Sequence, residues 1–250
     1  MGVTGLTLRV ATWNVHRCVG HDGRCDPART RRAIVADIAP NGLDILVLTE
    51  ADTDCPPHRG LLDLPALEAA TGLCSVHAPD ARWGEESDGF LGVIIPVRAA
   101  IPVTEVRVLD LPGHCHRGAV VVDLAPPGGA PPLRLVGTHL SLAQWLRAVQ
   151  MRTIGQHLRR RAPCATLLVG DLNEWRPWGG LALSRRVVGR PLHGPSRRSF
   201  PAYFPILPLD WILSDRVGMV TDARVIDTPE IRAASDHLPL AATIRVGPET

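Results

Sequence analysis

The stretch "ATLLVGDLNEW", residues 165–175, places three polar side chains at the end of an apolar run. Residues 165–169 have the length and the aliphatic content of a buried strand. Asp171, Asn173 and Glu174 come almost directly after this strand. Two carboxylates and an amide at the mouth of a core strand cost solvation free energy unless they find partners. A turn would explain one of these polar residues but not all three. Whether they belong to a binding site depends on whether other strand ends supply partners for them.

The composition describes a chain that can bury a large core, with 250 residues of which 45% are hydrophobic. All basic residues are arginine, and the net charge of +2 is too small to indicate a nucleic-acid-binding protein. No apolar run approaches the roughly 18 residues that span a bilayer, and no signal peptide is recognised at the N-terminus. Six scattered cysteines without a CxxC motif favour free thiols in a reducing compartment. We therefore expect a cytoplasmic monomer without a transmembrane segment.

Strand-like runs recur along the whole chain and are bounded by Gly, Pro, Asp or Asn. The runs are residues 6–13, 44–48, 90–95, 103–109, 119–124, 133–136, 165–169, 209–213, 220–226 and 238–246. The proline- and glycine-rich residues 125–132 lie directly between two of them, which favours a long hairpin loop over an interdomain linker.

Two helices are predicted between the strands. Asp26 is a helix N-cap and Pro27 the first helical residue, with an apolar face at Ile34, Val35 and Ile38. A second stripe at helical spacing comprises Leu142, Trp145, Leu146, Val149 and Leu158. Many strands with few helices predict two sheets packed face to face, with helices outside, in a single α/β domain over residues 1–250.

Six strand ends carry polar residues of a restricted kind, and one edge of a rigid sheet is where binding groups collect. These residues are Asn14 with His16, Glu50, His139, Asp171 with Asn173, Asp210, and Asp236 with His237. Carboxylate and amide oxygens favour Mg²⁺ or Mn²⁺ over Zn²⁺, and histidine can donate to a phosphate or move a proton. The chain has no GxxxxGK, GxGxxG or GxSxG motif. This set predicts hydrolysis of a phosphate ester by a metal-oriented water.

The motifs "WNVH", "LTE", "GTHL", "GDLNE", "LDWIL" and "SDHLPL", in this order, resemble the endonuclease/exonuclease/phosphatase superfamily with the DNase I-like fold. The resemblance runs from Trp13 to Leu240. The stretches "HRCVGHDGRCD" and "SFPAYFPILPLDWIL" look like a small bacterial branch of it. It implies a four-layered α/β/β/α sandwich of two mostly antiparallel sheets, with the site at one end.

The resemblance also implies a metal site for Mg²⁺ or Mn²⁺. Glu50 is the expected principal ligand, with Asn14 beside it to hold metal or phosphate. Asp236 would complete the network of metal and water.

The catalytic roles implied by the resemblance fall on five residues. Asp171 would orient or deprotonate the attacking water, and Asn173 would hydrogen-bond the reacting phosphate. His139 and His237 would stabilise the charge that develops on phosphorus. Asp210 would fix the orientation of His237, since a carboxylate behind a histidine holds its tautomer.

Two departures from the family pattern concern the substrate. DNA-repair members contact the phosphate with a tyrosine from the middle of the chain, whereas the single tyrosine here is Tyr203. His16 stands where those enzymes often have Asp. Arg117 resembles a family arginine whose role is structural or anion-binding. The missing mid-chain tyrosine and the presence of His16 count against cleavage of DNA at abasic sites and leave the core chemistry untouched.

Three functions remain open from the sequence. The favoured one is a phosphodiesterase acting on a small or lipid-headgroup phosphodiester; the second is a nuclease acting on DNA or RNA, and the third a non-catalytic binding module. An apolar stretch after residue 199 either forms a lip for an apolar group of the substrate or packs its loop onto the sheet. It comprises Phe200, Tyr203, Phe204, Ile206 and Leu207. The histidines at 114 and 116 fit no structural zinc spacing and predict a loop.

Overall fold

The computed structural model describes residues 6–113 and 115–247. His114 of the predicted loop and both ends of the predicted domain lie outside the described residues. The strands are β1 (Leu6–Asn14), β2 (Ile45–Thr49), β3 (Leu73–Ser75), β4 (Pro96–Arg98), β5 (Val103–Leu111), β6 (Arg117–Leu124), β7 (Leu133–His139), β8 (Ala165–Asp171), β9 (Asp210–Ser214), β10 (Val220–Val225) and β11 (Leu240–Val246). The helices are α1 (Pro27–Ala33), α2 (Leu64–Thr71), α3 (Gln144–Arg159), α4 (Arg185–Val188) and α5 (Pro229–Ala234). Short turns of other helical types are a π-helix (Ile34–Ile38) and 3₁₀ turns at His16–Cys18, Ala39–Asn41 and Pro79–Ala81.

The strands form two sheets that are each mostly antiparallel. One sheet has the order β10-β11-β1-β2-β4-β3 and the other the order β5-β6-β7-β8-β9. Each sheet contains one parallel pair, β1 with β2 and β7 with β8. The α/β sandwich of two mostly antiparallel sheets is thereby confirmed.

Three apolar clusters define the layers. The cluster between the sheets joins residues such as Val10 and Val47 of one sheet to Leu135 and Val169 of the other. A second cluster packs α1, its π-helical extension, α2 and α5 against the outer face of the six-stranded sheet. The third packs α3 and α4 against the outer face of the five-stranded sheet. Helices therefore cover both outer faces, as a four-layered sandwich requires.

Two local predictions agree with the structure. The Asp26 side chain accepts a hydrogen bond from the Arg29 amide at 2.9 Å, and Pro27 opens α1. Ile34 and Ile38 of the π-helical extension are fully buried. Residues 125–132 connect the antiparallel strands β6 and β7, so this segment is a hairpin loop and no linker.

The strand predicted over residues 90–95 is wrong. The chain there makes a tight turn in which the Phe90 and Val93 amides each donate to the other residue's carbonyl. Leu91 and Gly92 both have positive φ, which a continuous strand does not accommodate. Ile94 then forms an isolated bridge with Leu48, and the next strand is β4; the short strands β3 and β4 were not predicted.

The predicted apolar stripe on the second helix is also wrong in part. Leu142, Trp145 and Val149 point to solvent, with exposed fractions of 79%, 64% and 43%. The buried face of α3 is formed by Leu146, Arg147, Gln150, Met151, Ile154, Gly155 and Leu158. Spacing alone could not distinguish the two faces, because an apolar stripe also lies on the exposed side.

The topology brings the polar strand ends to one edge of the sandwich. Parallel neighbours end at the same edge, so the ends of β1 and β2 meet in one sheet and those of β7 and β8 in the other. Antiparallel β9 and β11 begin where β8 and β1 end, as the register pairs Asp171 with Asp210 and Thr12 with Leu240. Two facing sheets therefore place all six polar strand ends at one end of the molecule.

Candidate active site

Asn14 connects the two sheets at this end. Its amide nitrogen donates to Glu50 Oε1 at 3.1 Å and to Asp171 Oδ2 at 2.9 Å. Its amide oxygen accepts from the backbone amide of His16 at 2.9 Å, which fixes the orientation of the amide group. A hydrogen bond from Asn14 to Asp171 joins strands of opposite sheets, so the predicted residues of both sheets share one site.

Asp171 lies at the centre of the cluster and is almost completely buried. Its Oδ2 is 3.5 Å from His139 Nε2 and 3.8 Å from His237 Nε2. Burial raises the pKa of this carboxyl to about 7, against the lowering effect of His237. A carboxyl with a pKa near neutrality can accept a proton from water at physiological pH.

Gly170 is required for this placement. Its φ is +140°, and a Cβ here would collide with the backbone oxygen of Thr138 on the neighbouring strand. Only glycine permits that approach. The glycine of "GDLNE" therefore lets the parallel pair β7 and β8 bring His139 and Asp171 into register.

The two ring nitrogens of His237 each face a carboxylate. Asp210 Oδ2 accepts from His237 Nδ1 at 2.9 Å, and the other ring nitrogen faces Asp171. Burial alone would lower the pKa of His237, but Asp210, Asp171 and Asp236 together raise it to about 10. The ring is therefore an imidazolium at neutral pH, with one N–H directed at Asp210. Its backbone carbonyl is fixed by a hydrogen bond from the Trp13 indole at 2.9 Å.

His139 differs from His237 in charge. Complete burial, together with the charges of Arg117, His237 and Arg17, lowers its pKa well below the ordinary value. The Asn173 amide nitrogen donates to His139 Nε2 at 3.1 Å and to the Leu140 carbonyl at 2.9 Å. His139 is thus a neutral ring at neutral pH. Both amide protons of Asn173 are engaged, so this side chain reaches a phosphate only by giving one of them up.

Glu50 has the features of a cation ligand. Its backbone adopts φ = 54°, a left-handed conformation that costs roughly 1 kcal/mol for a non-glycine residue and is concentrated at functional sites. Glu50 Oε2 is buried and accepts no hydrogen bond within the described residues, although Arg17 Nη1 lies 3.2 Å away. A buried carboxylate oxygen without a hydrogen-bond donor fits a metal ligand.

Asp236 has a similar buried oxygen, Oδ1, which accepts no hydrogen bond from any residue that the structure describes. His16 Nδ1 lies 3.6 Å from it and also 3.0 Å from the Val19 carbonyl. The buried oxygens of Glu50 and Asp236 are each of the hard type that Mg²⁺ or Mn²⁺ prefers. The amide oxygen of Asn14 is engaged by His16, so Asn14 holds Glu50 in place in this arrangement.

A second position for a cation is set by Asp171, Asp210 and His237, whose candidate ligand atoms lie within 4.8 Å of one another. In this structure the three groups interact through protons: Asp210 raises the pKa of His237 against the lowering effect of burial, and burial raises the pKa of Asp171. The hydrogen bond to Asp210 further occupies the nitrogen Nδ1. The described residues therefore offer two candidate positions for a cation, one at the buried Glu50 oxygen and one among Asp171, Asp210 and His237.

Several residues that support the site were not predicted from the sequence. Ser199 Oγ donates to Asp210 Oδ2 at 2.6 Å, and Ser235 Oγ donates to the Asn14 carbonyl at 2.7 Å. Arg17 reaches Glu50 from a turn with φ = 51°. Ser235 could have been recognised as the residue before "DH", whereas no local signal marks Ser199 or Arg17.

A small cavity of about 10 Å³ adjoins Glu50 and His139 and is also lined by Arg117. His58 in its wall contacts His116 through Nε2 and Nδ1 at 3.0 Å and lies 3.4 Å from Asp52. Burial raises the pKa of Asp52 to about 7, although Arg17 lowers it. Arg117 therefore lies beside the site, as an anion-binding role requires, and His58 has a partner that the sequence did not reveal.

The fold and the site together define a class of protein: an α/β/β/α sandwich with carboxylates, amides and histidines converging at one end of its two sheets. The chain belongs to the endonuclease/exonuclease/phosphatase family, whose model matches residues 11–237. Members of this family are hydrolases of phosphodiester bonds that usually use divalent metal ions.

The chain is also similar to several individual proteins. The uncharacterized protein YbhP of Escherichia coli K12 is 26% identical over 164 residues, and the match spans 64% of each chain. An endonuclease/exonuclease/phosphatase from Beutenbergia cavernae has a similar structure, with a TM-score of 0.65 and 24% identity over 96% of this chain and 72% of the other. The structure of D. rerio TDP2 complexed with a single strand DNA product matches with a TM-score of 0.67 and 17% identity, covering 95% and 98%. These structural similarities show a shared fold.

In the described part of the chain, no helix combines the length and the apolar character needed to cross a membrane.

Proposed function

We propose that this protein is a Mg²⁺- or Mn²⁺-dependent phosphodiesterase that hydrolyses a small-molecule or lipid-headgroup phosphodiester. One observation carries the proposal. Asp171 Oδ2 lies within 3.8 Å of side-chain atoms of Asn14, His139 and His237. The carboxylate base, the His237 imidazolium and the Asn14 amide can therefore reach one reacting centre. Catalytic groups must share such a centre to act on one bond.

Asp171 is the proposed base for the attacking water. Its raised pKa gives it the strength to take a proton near neutral pH, and the Asn14 amide and the Asn173 backbone amide hold its two oxygens. A fixed carboxylate directs the water at phosphorus along one line.

His237 is the proposed stabiliser of charge on the phosphorus oxygens. Asp210 holds Nδ1 and maintains the positive charge, while Nε2 remains directed into the site. An imidazolium that is charged before the reaction costs no reorganisation when the phosphorane forms. His139 is neutral and shapes the same wall, held by Asn173.

A divalent ion, when bound, would polarise the phosphate and neutralise charge on the leaving oxygen. Glu50 and Asp236 would hold it, because each has a buried carboxylate oxygen that accepts no hydrogen bond within the described residues. Asn14 would keep Glu50 in position.

The preference for a lipid or small substrate rests on the apolar lip beside His237. Phe200 packs against the His237 ring at a centroid distance of 4.8 Å. Tyr203, Phe204 and Ile206 of the same loop are exposed and do not pack beneath the sheet. This exposure favours the first of the two alternatives, a lip that meets an apolar substituent of the substrate, and counts against a loop that only packs onto the sheet.

A nuclease is the second candidate function. The similar TDP2 structure holds a single strand DNA product, and arginines are abundant on the outer face around α3 and α4. Against it stand the missing mid-chain tyrosine and the near-neutral charge of the whole chain. Duplex tracking needs several cationic contacts along the phosphates and produces a steep salt dependence.

The test is a side-by-side measurement of cleavage of plasmid, abasic duplex, single-stranded DNA and glycerophosphodiesters over a salt series. We expect the headgroup phosphodiesters to be cleaved faster than any DNA, with a shallow salt dependence. His237→Ala is the matched inactive control that excludes a contaminating activity. DNA as the best substrate, with a rate falling steeply in salt, would replace this proposal by the nuclease.

A further inference from the structure

An apolar surface that the proposed chemistry does not use lies on the outside of the five-stranded sheet's helix layer. We call it the tryptophan ridge; it comprises Leu142, Trp145, Val149, Trp175, Trp178 and Leu181. Leu142 is 79% exposed, Trp145 64% and Trp178 76%. Large apolar side chains this exposed cost solvation free energy when grouped, and such groups mark interaction sites.

The two segments of the ridge are held together by polar contacts. Arg176 donates to Gln144 Oε1 at 2.6 Å and lies over the Trp175 ring at 4.8 Å. Glu174, completely buried, pairs with both Arg176 and Arg147 of α3. Residues 174–176 are thereby fixed against the first turn of α3, so that Trp145 and Trp175 belong to one surface.

The ridge adjoins the proposed active site. Leu142 lies three positions after His139, and Trp175 two positions after Asn173. The hydrogen bond from Asn173 to the Leu140 carbonyl joins the starts of both segments. Whatever binds the ridge is therefore delivered next to the reacting centre.

The chain segment that carries the ridge is rich in arginine. Residues 140–209 contain eleven arginines and only two acidic residues, Asp171 and Glu174, which are both buried in the site. The exposed arginines of this segment are Arg152, Arg159, Arg160, Arg185, Arg186, Arg197 and Arg198. The chain as a whole is almost neutral, whereas this segment carries a local excess of arginine; of these, Arg197 lies apart from the ridge, because it donates to the Ala223 carbonyl of the six-stranded sheet.

We propose that the tryptophan ridge and its arginines dock the protein on the surface of an anionic lipid membrane. Tryptophan side chains favour the boundary between headgroups and acyl chains, and arginines beside them pair with lipid phosphates. Leu142, Val149 and Leu181 add aliphatic surface that can enter the acyl region. Aliphatic side chains give nothing to base stacking, which is why a membrane fits this surface better than a single-stranded nucleic acid.

Docking deepens the proposed function, on which it rests for its biological purpose, because a membrane bound at the ridge presents headgroup phosphodiesters at the site. The binding step itself needs no catalysis. Docking can therefore be measured on a protein whose chemistry has been removed, and failure of the chemistry leaves the docking result intact.

The experiment is sedimentation of the purified chain with vesicles of phosphatidylcholine containing ~20% phosphatidylglycerol, compared with pure phosphatidylcholine. We expect binding to the anionic vesicles that weakens with salt. Trp145→Ala combined with Trp178→Ala should reduce the partition coefficient by at least ~10-fold, because two interfacial anchors are lost. Arg185→Gln with Arg186→Gln should reduce binding to anionic vesicles and leave the small binding to neutral vesicles unchanged.

Val217→Ser is the matched control, since Val217 is 81% exposed and lies outside the ridge. Its vesicle binding should equal that of the wild type, whereas Leu142→Ser should bind less. The tryptophan double variant should hydrolyse a soluble phosphodiester, bis(4-nitrophenyl) phosphate, at the wild-type rate. Glu50→Gln should bind vesicles normally, which separates docking from catalysis.

Three results would overturn the proposal. Absence of vesicle binding by the wild type is the first, and unchanged binding of the tryptophan double variant is the second. The third is that the tryptophan substitutions abolish a different interaction of the wild type, either the binding of a single-stranded oligonucleotide or the formation of a concentration-dependent dimer, and leave vesicle binding unaffected. The ridge would then be a nucleic-acid platform or a self-association surface.

Discussion

Replacing Asp210 with Asn removes one negative charge from the site and keeps the shape of the side chain. The Asn side-chain oxygen can still accept from His237 Nδ1, so the ring keeps its orientation. Ser199 can likewise still donate to that oxygen. The substitution therefore tests the charge of Asp210 separately from its hydrogen bond.

The size of the effect follows from the pKa of His237. That pKa is about 10, roughly 3.5 units above the ordinary value of 6.5, which corresponds to about 5 kcal/mol in favour of the imidazolium. Burial opposes the charge, and Asp210 is the largest cause that raises the pKa. Without the Asp210 charge we expect the pKa to fall back towards its ordinary value of about 6.5, because Asp210 is the largest cause that raises it. At a pKa of about 6.5 the ring is protonated to about 3% at pH ~8 and about three quarters at pH ~6.

The assay is the ratio of kcat in Asp210→Asn to kcat in the wild type between pH ~6 and pH ~8, with saturating Mg²⁺. The ratio cancels titrating groups remote from the site, whereas the pKa of Asp171 itself depends on Asp210 and His237 and is measured separately in each protein. Because only the imidazolium is active, the activity of a variant with a lowered His237 pKa is lost as pH rises. We expect a ratio of about three quarters at pH ~6 and about 0.03 at pH ~8.

Asp123→Asn serves as the matched control. Asp123 accepts from Arg134 at 2.6 Å, and its strand pairs with β7 away from the site. This variant should lose stability while keeping the wild-type pH profile. A ratio for Asp210→Asn that stays constant with pH would refute a charged His237 in the reaction.

Further predictions concern the base, the strand end and a buried histidine. Asp171→Asn and His237→Ala should each lower kcat by at least ~100-fold with unchanged circular dichroism, and a loss below about tenfold would contradict their roles. Gly170→Ala should lower the free energy of unfolding by about 2 kcal/mol or more in urea, because its Cβ would meet the Thr138 carbonyl; wild-type stability would contradict this. His77 is buried and satisfied as a neutral ring, with its pKa lowered to about 4 by burial. The pKa of His77 is lower in the folded protein than in the unfolded one. The contribution of neutral His77 to the free energy of unfolding is therefore complete above pH ~6.5, and about 3 kcal/mol of that free energy is lost as pH falls towards ~4. His77→Gln should flatten that slope in urea unfolding, and an unchanged slope would contradict a neutral His77.

Much of the fold follows from patterns within single strands. The run at residues 165–169 is aliphatic because β8 is buried between a sheet and a helix layer, so its sequence reports its environment directly. The polar residues at six strand ends likewise indicated that these strand ends meet at one edge. Asn14 and Asp171 could thus be placed together from sequence, although they are 157 positions apart.

Other features depend on interactions that no local pattern records. The turn at Leu91 and Gly92 replaces a strand despite an apolar sequence, because positive φ at two residues is a tertiary requirement. Trp145 and Val149 of α3 and Leu142 just before it are apolar and exposed, so hydrophobic spacing pointed in part to the wrong side of the helix. The partnership of Ser199 with Asp210 arises only after the intervening loop folds back. Functional residues at strand ends could be recognised from the sequence, whereas residues that reach the site from a folded-back loop could not.

The central claim is that Glu50 holds a divalent ion on which phosphodiester hydrolysis depends. The most direct test is hydrolysis of bis(4-nitrophenyl) phosphate by chelator-treated wild type and Glu50→Gln over a Mg²⁺ titration. We expect the wild type to be inactive in chelator and to recover with Mg²⁺, and Glu50→Gln to need at least ~10-fold more Mg²⁺ for half-maximal activity. Full activity in excess chelator, or an unchanged Mg²⁺ requirement in Glu50→Gln, would contradict it.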